Sequence, residues 1–355
     1  MKILIIQQKM IGDVLATSIL FEAIKKTYPN ADLHYVINSH TFPVVENNPF
    51  IDKIHFFTPV LEKSKFQLYK FAKTLKKENF DVVIDVYIKL SSKLISYLSN
   101  AKTKISIDKG NKSFIYNHTF KHKLKADTNA GLAIENRLQL LQPLKINPLE
   151  IVKPKIYLTE KEKLKAKQFL KSNGIDLNKP LFMIGVLGSG YNKTYPFKYM
   201  AKVIDKLAIE EPEGQIIFNY IPKQEKDAKA ILELCATETQ NQIYFNVFGK
   251  SLRDFLAITS HCNALIGNEG GAINMAKALD IPTFTIFSPW IKKEAWNMFD
   301  DGKKHVSVHL KDYKEQVYLN IQHPKALKSK ASELYLEFKP SNFKEELNTF
   351  LKRIN

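Results

Sequence analysis

Residues 2–24 read KILIIQQKMIGDVLATSILFEAI, and this stretch carries the pattern that decides the fold. A short apolar strand, Ile3–Ile6, passes through a polar turn to Gly12 and Asp13, where a helical repeat of apolar residues begins. In α/β sheets, ligand-binding groups commonly follow the strand ends. Asp13 would lie at a helix start, where unpaired N–H groups favour a carboxylate. Such a group suits a general base, although Asp is also a common helix cap.

The same alternation of short apolar runs and amphipathic helical patterns continues along the chain and predicts parallel sheets covered on both faces. The predicted strands of the first half are Lys2–Gln7, Leu33–Ile37, Ile54–Phe57, Val82–Val86 and Lys104–Ile107. Those of the second half are Leu181–Leu187, Gln215–Asn219, Ile243–Val247, Ala264–Gly267 and Thr283–Phe287.

A proline-containing stretch from Gln142 to Tyr157 interrupts this rhythm and predicts an interdomain linker. The fold class is therefore α/β, with two doubly wound, Rossmann-like domains at residues 1–157 and 158–340. A last helical pattern, residues 341–355, could pack back on the first domain. Two such domains would face each other across a cleft, which suits an enzyme that holds two substrates.

The composition indicates an anionic partner or surface. The 355 residues include 53 Lys and Arg against 36 Asp and Glu, a formal charge of +17. Residues 1–150 alone hold 22 basic against 13 acidic residues. The cluster Lys73, Lys76 and Lys77 could attract acidic lipid head groups, or could be a solvated face.

Several classes of protein are excluded by what the sequence lacks. The apolar start is too short for a signal peptide, and no segment reaches the roughly 20 apolar residues of a membrane span, so we expect a cytoplasmic protein. No nucleic-acid-binding module is found, so no nucleic acid is expected as a partner. Cys235 and Cys262 lie in apolar patterns and are expected to be buried thiols. The sequence does not fix an oligomeric state.

Two loops of the second half have the composition of phosphate sites. The strand ending at Leu187 is followed by Gly188, Ser189 and Gly190, and Lys193 follows them as a point charge. This is not a Walker A motif, and a Gly-Ser-Gly turn is often only a turn.

The second loop, Gly267-Asn268-Glu269-Gly270-Gly271, opens a helix whose N–H groups could face an anion. In this loop Glu269, with Asn274 on the helix, is placed to bind hydroxyls, and tight helix–strand packing is the alternative reading. Together the two loops predict a nucleotide-diphosphate site.

The Ile11–Leu15 turn, the Gly188–Pro196 loop and the Gly267–Gly271 loop resemble, in order and separation, the heptosyltransferase family, glycosyltransferase family 9. The resemblance covers roughly the first 290 residues. It implies a GT-B fold and an inverting transfer that needs neither metal nor cofactor. It also implies ADP-heptose as the nucleotide-sugar co-substrate and the lipopolysaccharide inner core, an anionic glycolipid, as acceptor. Peripheral contact with the cytoplasmic face of the inner membrane would be compatible with that acceptor.

The resemblance also implies roles for single residues. Asp13 matches the family's general base on the acceptor side, beside Gly12, and Lys193 matches the lysine that neutralises the donor diphosphate. The remaining donor-binding residues that it implies are Gly188, Ser189, Gly190, Glu225, Val247, Phe248, Asn268, Glu269, Gly270, Gly271 and Asn274.

Two of these positions depart from the family pattern, because Glu269 stands where Asp is typical and Asn274 where His is typical. A transferase with another nucleotide sugar and another surface glycan therefore stays open, as does an inactive nucleotide-binding protein. An NAD-dependent dehydrogenase is disfavoured, because no GxGxxG follows the first strand.

Overall fold

The computed structural model describes residues 1–108, 114–147, 152–319 and 324–354. Residues 148–151, which belong to the predicted linker, lie outside the described residues. The chain divides into two compact units, Met1–Tyr157 and Leu158–Asn355. Each unit is an α/β layer structure with its own parallel sheet, as the apolar pattern predicts.

The first unit contains a six-stranded sheet in the order β3-β2-β1-β4-β5-β6, with parallel pairing throughout. Its strands are β1 (Lys2–Ile6), β2 (Asp32–Asn38), β3 (Lys53–Phe57), β4 (Val82–Asp85), β5 (Thr103–Asp108) and β6 (His118–Lys121). Its α-helices are α1 (Ile11–Thr17), α2 (Ile19–Thr27), α3 (Pro59–Lys63), α4 (Lys65–Lys76), α5 (Leu90–Leu98) and α6 (Leu132–Leu138). Short 3₁₀ helices span Ser39–Val44 and Gln139–Leu144.

The second unit contains a five-stranded parallel sheet in the order β11-β10-β9-β7-β8. Its strands are β7 (Leu181–Gly185), β8 (Gln215–Phe218), β9 (Ala264–Asn268), β10 (Thr283–Ile286) and β11 (His305–Val308). Its first six α-helices are α7 (Glu160–Ser172), α8 (Phe197–Glu210), α9 (Glu225–Glu233), α10 (Thr237–Gln240), α11 (Leu252–Thr259) and α12 (Gly271–Ala278). After them come α13 (Lys293–Trp296), α14 (Leu310–Tyr313), α15 (Ala331–Glu337) and α16 (Lys344–Ile354). The 3₁₀ helices are Tyr191–Lys193, Pro222–Gln224, Glu315–Tyr318, Pro324–Lys330 and Pro340–Phe343.

The strand order changes direction once in each sheet. In the first sheet the change lies between β1 and β4, and in the second it lies between β7 and β9. A crevice opens at the carboxyl ends of the strands at such a point, because the connections on its two sides run away from each other. The turn that carries Asp13 follows β1, and the two phosphate-type loops follow β7 and β9. All three predicted site segments therefore lie at these positions of their own sheets.

Both strands that the sequence pattern misses are edge strands. β6 is largely exposed and polar, and β11 alternates polar and apolar residues, so neither shows the continuous apolar run of a central strand. The strand predicted at Ile243–Val247 is wrong. Only a single parallel bridge joins Ile243 to Ile216, and the chain then turns, with the Val247 N–H bonded to the Tyr244 carbonyl.

The C-terminal helix α16 packs in the core of the second unit, which corrects the expectation that it crosses back to the first domain. Phe343, Leu347, Phe350 and Leu351 are buried there, and the Phe350 ring lies 5.6 Å from the ring of Phe284 on β10. The apolar stripe of a terminal helix predicts that the helix packs on an apolar surface but does not identify which one. Here that surface is the core of the second unit.

Tyr195 connects this C-terminal region to the loop after β7. Its ring is fully buried and lies 5.8–6.1 Å from the rings of Tyr335, Phe338 and Phe343. Its hydroxyl donates a hydrogen bond of 2.5 Å to the Phe338 carbonyl. The C-terminal residues therefore form part of the support of that loop.

The other buried features agree with the sequence pattern. Cys235 and Cys262 are buried and free. Among the described residues, no helix combines the length and the apolar content that crossing a bilayer requires.

We predict that Phe350→Ala lowers the free energy of unfolding of the second unit by about 3–5 kcal/mol, because it removes a fully buried ring and leaves a cavity. Urea unfolding followed by tryptophan fluorescence measures this unit alone, since Trp290 and Trp296 both lie in it. The control is Lys352→Ala, an exposed position of the same helix, which should change stability by less than about 0.5 kcal/mol. Equal effects of the two substitutions would contradict the packing of α16.

Candidate functional site

Asp13 lies in the first turn of α1, three residues after Met10, which is the N-cap. The Met10 backbone N–H reaches the Asp13 carboxylate at 3.4 Å, at the long end of hydrogen-bond distances. A capping side chain normally accepts a shorter hydrogen bond from the helix N–H groups. Helix capping alone therefore does not account for a carboxylate at this position. The Asp13 side chain remains 23% exposed at the carboxyl end of β1.

The strong partner of Asp13 is Arg137 on α6. One guanidinium nitrogen of Arg137 donates to Asp13 Oδ1 at 2.8 Å. The same guanidinium donates to Thr17 Oγ1 at 2.8 Å and to the Ala133 carbonyl at 2.6 Å. Arg137 is only 7% exposed, so its charge is compensated almost entirely by Asp13. The pair fixes one carboxylate oxygen and keeps the carboxylate turned in a single direction.

Sequence reasoning missed Arg137, although one signal was present. The chain has 53 Lys and Arg residues, of which three are Arg: Arg137, Arg253 and Arg353. A planar guanidinium can hold several acceptors in a fixed fork, which a lysine cannot. Arg253 behaves in the same way, with both Nε and Nη2 bonded to Glu162 at 2.6 and 2.7 Å. In a chain this rich in lysine, each arginine was a candidate for a specific carboxylate pair.

A second carboxylate, Asp85, ends the neighbouring strand β4 but is fully buried. Burial raises the pKa of Asp85. One of its oxygens accepts hydrogen bonds from the N–H groups of Tyr87 and Ile88 at 3.0 and 2.9 Å, and the other accepts one from the Tyr116 hydroxyl. Asp85 therefore shapes the turn after β4, and Asp13 is the carboxylate of the two that a substrate can reach.

In the second unit, the loop after β7 folds back tightly on itself. The Gly188 N–H donates to Thr194 Oγ1 at 3.1 Å, and the Gly188 carbonyl accepts a hydrogen bond from Gln224 Nε2 at 3.1 Å. A Cβ atom on Gly188 would lie 2.2 Å from the Lys193 carbonyl oxygen, which no real structure tolerates. The glycine is thus required by the close return of the chain.

The second half of this loop is held by two side chains of the segment that follows β10. The Asn192 carbonyl accepts hydrogen bonds from Ser288 Oγ at 2.7 Å and from Trp290 Nε1 at 2.9 Å. Ser189 and Gly190, at the tip, are exposed. The tip of the loop is therefore exposed to solvent, while the part around Asn192 is held in place, in part by Trp290.

Lys193 and Glu269 form an ion pair of 3.0 Å. Glu269 is 8% exposed, whereas the Lys193 side chain is 27% exposed and its ammonium also lies 5.8 Å from the Trp290 ring centroid. The two phosphate-type loops are thus joined through the residues predicted to bind the donor. The Lys193 ammonium is therefore paired with a carboxylate of the neighbouring loop.

Asn268 connects the same loops through its side-chain amide. Its Nδ2 donates to the Gly185 carbonyl at 2.9 Å, and its Oδ1 accepts the Tyr195 N–H at 2.7 Å. Both polar ends of the amide are therefore used by the protein backbone, which explains why an Asn ends β9. Its assignment as a donor-binding residue stays a prediction.

The helix that follows, α12, begins at two glycines. Gly270 is the N-cap with φ +148°, a backbone conformation that other residues rarely adopt, and Gly271 is exposed. The first N–H groups of a helix have no partner within it, so this end offers donors to an anion. Asn274 is half-buried one turn further along.

The remaining predicted donor residues lie around the carboxyl end of β8. Glu225 is exposed at the first position of α9, next to Gln224, which contacts the Gly188 carbonyl. Val247 is buried, and the ring of Phe248 lies 4.8 Å from the ring of Tyr220. The structure thus provides an apolar wall and a carboxylate near the loop after β7, and their roles remain predictions.

Among the described residues, one trio could ligate a metal ion: atoms of His34, His55 and Glu78 lie within 4.8 Å of one another. Nδ1 of His34 lies 2.9 Å from Nε2 of His55. Glu78 pairs with Lys2 at 2.9 Å and with Lys53 at 2.6 Å. Burial lowers the pKa of both histidines, that of His55 to about 4. This trio lies at the amino ends of the strands, and none of the predicted site residues belongs to it.

Comparisons with known proteins identify the family and the fold. Residues 68–326 match the family model described as glycosyltransferase family 9 (heptosyltransferase). A curated relative, lipopolysaccharide heptosyltransferase 1 of Campylobacter coli, is 26% identical over 317 residues, which cover 86% of this chain and 90% of the relative.

Two solved structures have the same fold. The family 9 glycosyl transferase of Veillonella parvula superposes with a TM-score of 0.73 at 17% identity, covering 95% of this chain and 97% of that one. The Escherichia coli heptosyltransferase WaaC with ADP gives a TM-score of 0.64 at 19% identity, covering 95% and 99%.

We predict that Gly188→Ala costs about 1–3 kcal/mol of stability in the second unit, because the added methyl group can be accommodated only if the backbone at Lys193 moves. The control is Gly190→Ala in the same loop, where an added Cβ would meet Asn192 Oδ1 at 3.7 Å, an ordinary contact. Thermal unfolding of the two variants measures the difference. A Gly188→Ala protein as stable as the Gly190→Ala protein would show that the loop does not fold back as described.

Proposed function

Because the chain belongs to glycosyltransferase family 9, the heptosyltransferases, and is therefore a glycosyltransferase, we propose that it transfers a heptose from ADP-heptose to the inner core of lipopolysaccharide. The observation that carries the proposal is the Asp13 carboxylate, which is exposed to solvent on one side and held by the buried Arg137 on the other. A carboxylate kept in one orientation at the carboxyl end of a strand is suited to act on a bound hydroxyl.

In the proposed reaction, Asp13 accepts the proton of an acceptor hydroxyl while that oxygen attacks the anomeric carbon of the donor sugar. The new glycosidic C–O bond forms as the bond between the anomeric carbon and the diphosphate oxygen breaks, with inversion at that carbon. The products are the extended acceptor, ADP and a protonated Asp13, which returns its proton to water. Arg137 acts here as a positioning residue, because its contacts are with Asp13, Thr17 and Ala133.

The leaving diphosphate gains negative charge in this step, and we propose that the second unit stabilises it. Lys193 supplies a full positive charge, Ser189 a hydroxyl donor, and Gly270 and Gly271 the N–H groups at the start of α12. Donors fixed in advance stabilise such charge best, since they need not reorganise during the reaction. The many hydrogen bonds that hold the loop after β7 support this role.

The Lys193–Glu269 pair bears on which donor is used. Glu269 holds the Lys193 ammonium at 3.0 Å, so a donor diphosphate must share or take over that charge. We propose that Glu269 then turns to the hydroxyls of the donor sugar, with Asn274 beside it as a neutral amide. The residues themselves, Glu269 and Asn274 at positions where the family typically has Asp and His, favour as a second candidate a nucleotide sugar other than ADP-heptose and a different surface glycan.

The acceptor and its location follow from the same proposal. The formal charge of +17 favours an acceptor that carries phosphates or acidic sugars. We therefore propose that the enzyme works on an anionic glycolipid from the cytoplasmic side of the inner membrane.

We predict that Asp13→Asn lowers the transfer rate by a factor on the order of 10²–10⁴, the usual contribution of a positioned base, while ADP binding is retained. Single-turnover transfer and calorimetric ADP titration measure the two quantities. The control is Asp254→Asn, the same substitution in the first turn of α11, which should leave transfer unchanged. If Asp13→Asn also turned over normally, Asp13 would be a helix-capping residue only.

We predict that ADP raises the unfolding temperature more than UDP, GDP or dTDP at equal concentration, and that EDTA does not remove the effect. A ligand that binds only the folded state stabilises it by an amount that grows with the logarithm of its affinity, so a thermal-shift series at equal concentration ranks the four nucleotides. Selective stabilisation by another nucleotide would favour the second candidate. Stabilisation that vanishes in EDTA and returns with Mg²⁺ would reject a metal-independent site.

A further inference from the structure

The outward side of α4 carries aromatic and cationic side chains. Phe66, Tyr69, Lys70, Lys73 and Lys77, the last at the C-cap, recur at helical spacing on this side. Phe66 is 63% and Tyr69 44% exposed, and the three lysines are exposed as well. The Lys70 ammonium lies 4.4 Å from the Phe66 ring centroid, and the Lys73 ammonium 5.5 Å from that of Tyr69. Two exposed rings near the start of the helix are thus followed by three exposed lysines, and two of these lysines lie over the rings.

The neighbouring helix α5 continues the same composition. Leu90 is 77% and Tyr97 54% exposed, with the half-buried Lys93 between them on the same side. Phe114, 90% exposed, lies with its ring 6.3 Å from that of Tyr97. Single exposed apolar residues are ordinary, but a run of them across two adjacent helices marks an interaction surface.

Both outward sides point away from one face of the first sheet. On their inner sides, Leu68 and Leu75 of α4 and Ile95 of α5 are buried in one core cluster with Leu4 of β1 and Val83 of β4. The two helices thus form one layer, and we call their outer surface, made by Phe66, Tyr69, Lys70, Lys73, Lys77, Leu90, Lys93, Tyr97 and the adjoining Phe114, the lysine–aromatic face.

Within the part of the chain that the structure describes, no ion pair joins a lysine of the lysine–aromatic face to a carboxylate. The described residues of α4 and α5 include no Asp or Glu. The carboxylates nearest in sequence to the two helices are engaged elsewhere: Glu62 pairs with Lys9, and Glu78 with Lys2 at 2.9 Å and Lys53 at 2.6 Å. Asp85, before α5, is fully buried and accepts hydrogen bonds within its own turn. The positive charge of this face is therefore free to attract an anionic partner.

We propose that the lysine–aromatic face docks on an anionic phospholipid bilayer. Lysine stems lie along apolar surface while their ammonium groups reach phosphates, and rings with exposed leucines enter the boundary between head groups and acyl chains. Protein–protein interfaces are depleted in lysine, which makes a protein partner a poorer match to this composition. The charge complementarity with acidic lipid head groups identifies the occupant.

The position of this face relative to Asp13 relates membrane docking to glycosyl transfer. This part of the inference rests on the proposed function. α4 follows β3 and α5 follows β4, so their first residues, including Phe66 and Leu90, lie toward the carboxyl ends of the strands. Asp13 follows β1 at the same edge of the same sheet. A first unit docked through this face would hold its Asp13 edge close to the lipid surface, where a glycolipid acceptor resides.

The test is co-sedimentation of the full chain with vesicles of phosphatidylcholine alone and of phosphatidylcholine mixed equally with phosphatidylglycerol. We expect binding to the anionic vesicles only. The variant Lys70→Gln/Lys73→Gln/Lys77→Gln should bind them roughly a hundredfold more weakly, from about 1 kcal/mol for each lysine near the surface. The control removes three exposed lysines from α7 of the second unit, Lys161→Gln/Lys165→Gln/Lys167→Gln, and should bind as the unmodified chain does.

A second variant, Phe66→Ser/Leu90→Ser, tests whether the apolar side chains insert. It should bind roughly tenfold more weakly, and the loss should persist at high salt, where lysine attraction is screened. Absence of binding to anionic vesicles, equal losses in the two lysine triples, or full binding by the serine variant would each overturn the proposal. The vesicles contain no acceptor and the ADP thermal shift is measured on the same samples, so failure of lipid docking and failure of the transferase proposal are distinguishable.

Discussion

Parallel pairing of every strand in both sheets is the constraint on which the rest of the structure depends. Parallel strands need crossover connections, most of which contain α-helices here, and the central strands of each sheet are buried. Polar groups can then meet a ligand only where the strands end. The reversal of strand order, between β1 and β4 in one unit and between β7 and β9 in the other, selects the loops that carry Asp13, Lys193 and Glu269.

Each unit contains an ion pair with one nearly buried and one more exposed member, and the sign of the exposed charge is opposite in the two units. In the first, a buried arginine holds a carboxylate whose other side is open, so the exposed member of the pair is the anion. In the second, the nearly buried Glu269 holds the more exposed Lys193, so the exposed member is the cation. Each pair limits the cost of keeping an ion away from bulk water, because the partner compensates the charge. A proton acceptor and a phosphate binder are the chemistries that such a pair of exposed groups supports.

The fold was predictable where one physical signal dominates. Continuous apolar runs identify central strands such as β1 and β7, whereas the edge strands β6 and β11 are polar on one side and have no comparable run. Ile243–Val247 resembles a strand in composition but forms only one bridge before it turns. Arg137 stands 124 residues from Asp13, so local spacing could not pair them. The roles of the donor-binding residues came from the family resemblance, and they remain predictions.

The burial of the C-terminal helix affects the order in which the two units can fold during synthesis. A ribosome delivers the first unit complete by Tyr157, and its sheet can close while synthesis continues. The second unit cannot do the same, because Tyr195, beneath the loop after β7, packs against Phe338 and Phe343, and Phe284 packs against Phe350. The loop after β7 is therefore encoded early in its domain but acquires this support only when residues 338–350 have emerged.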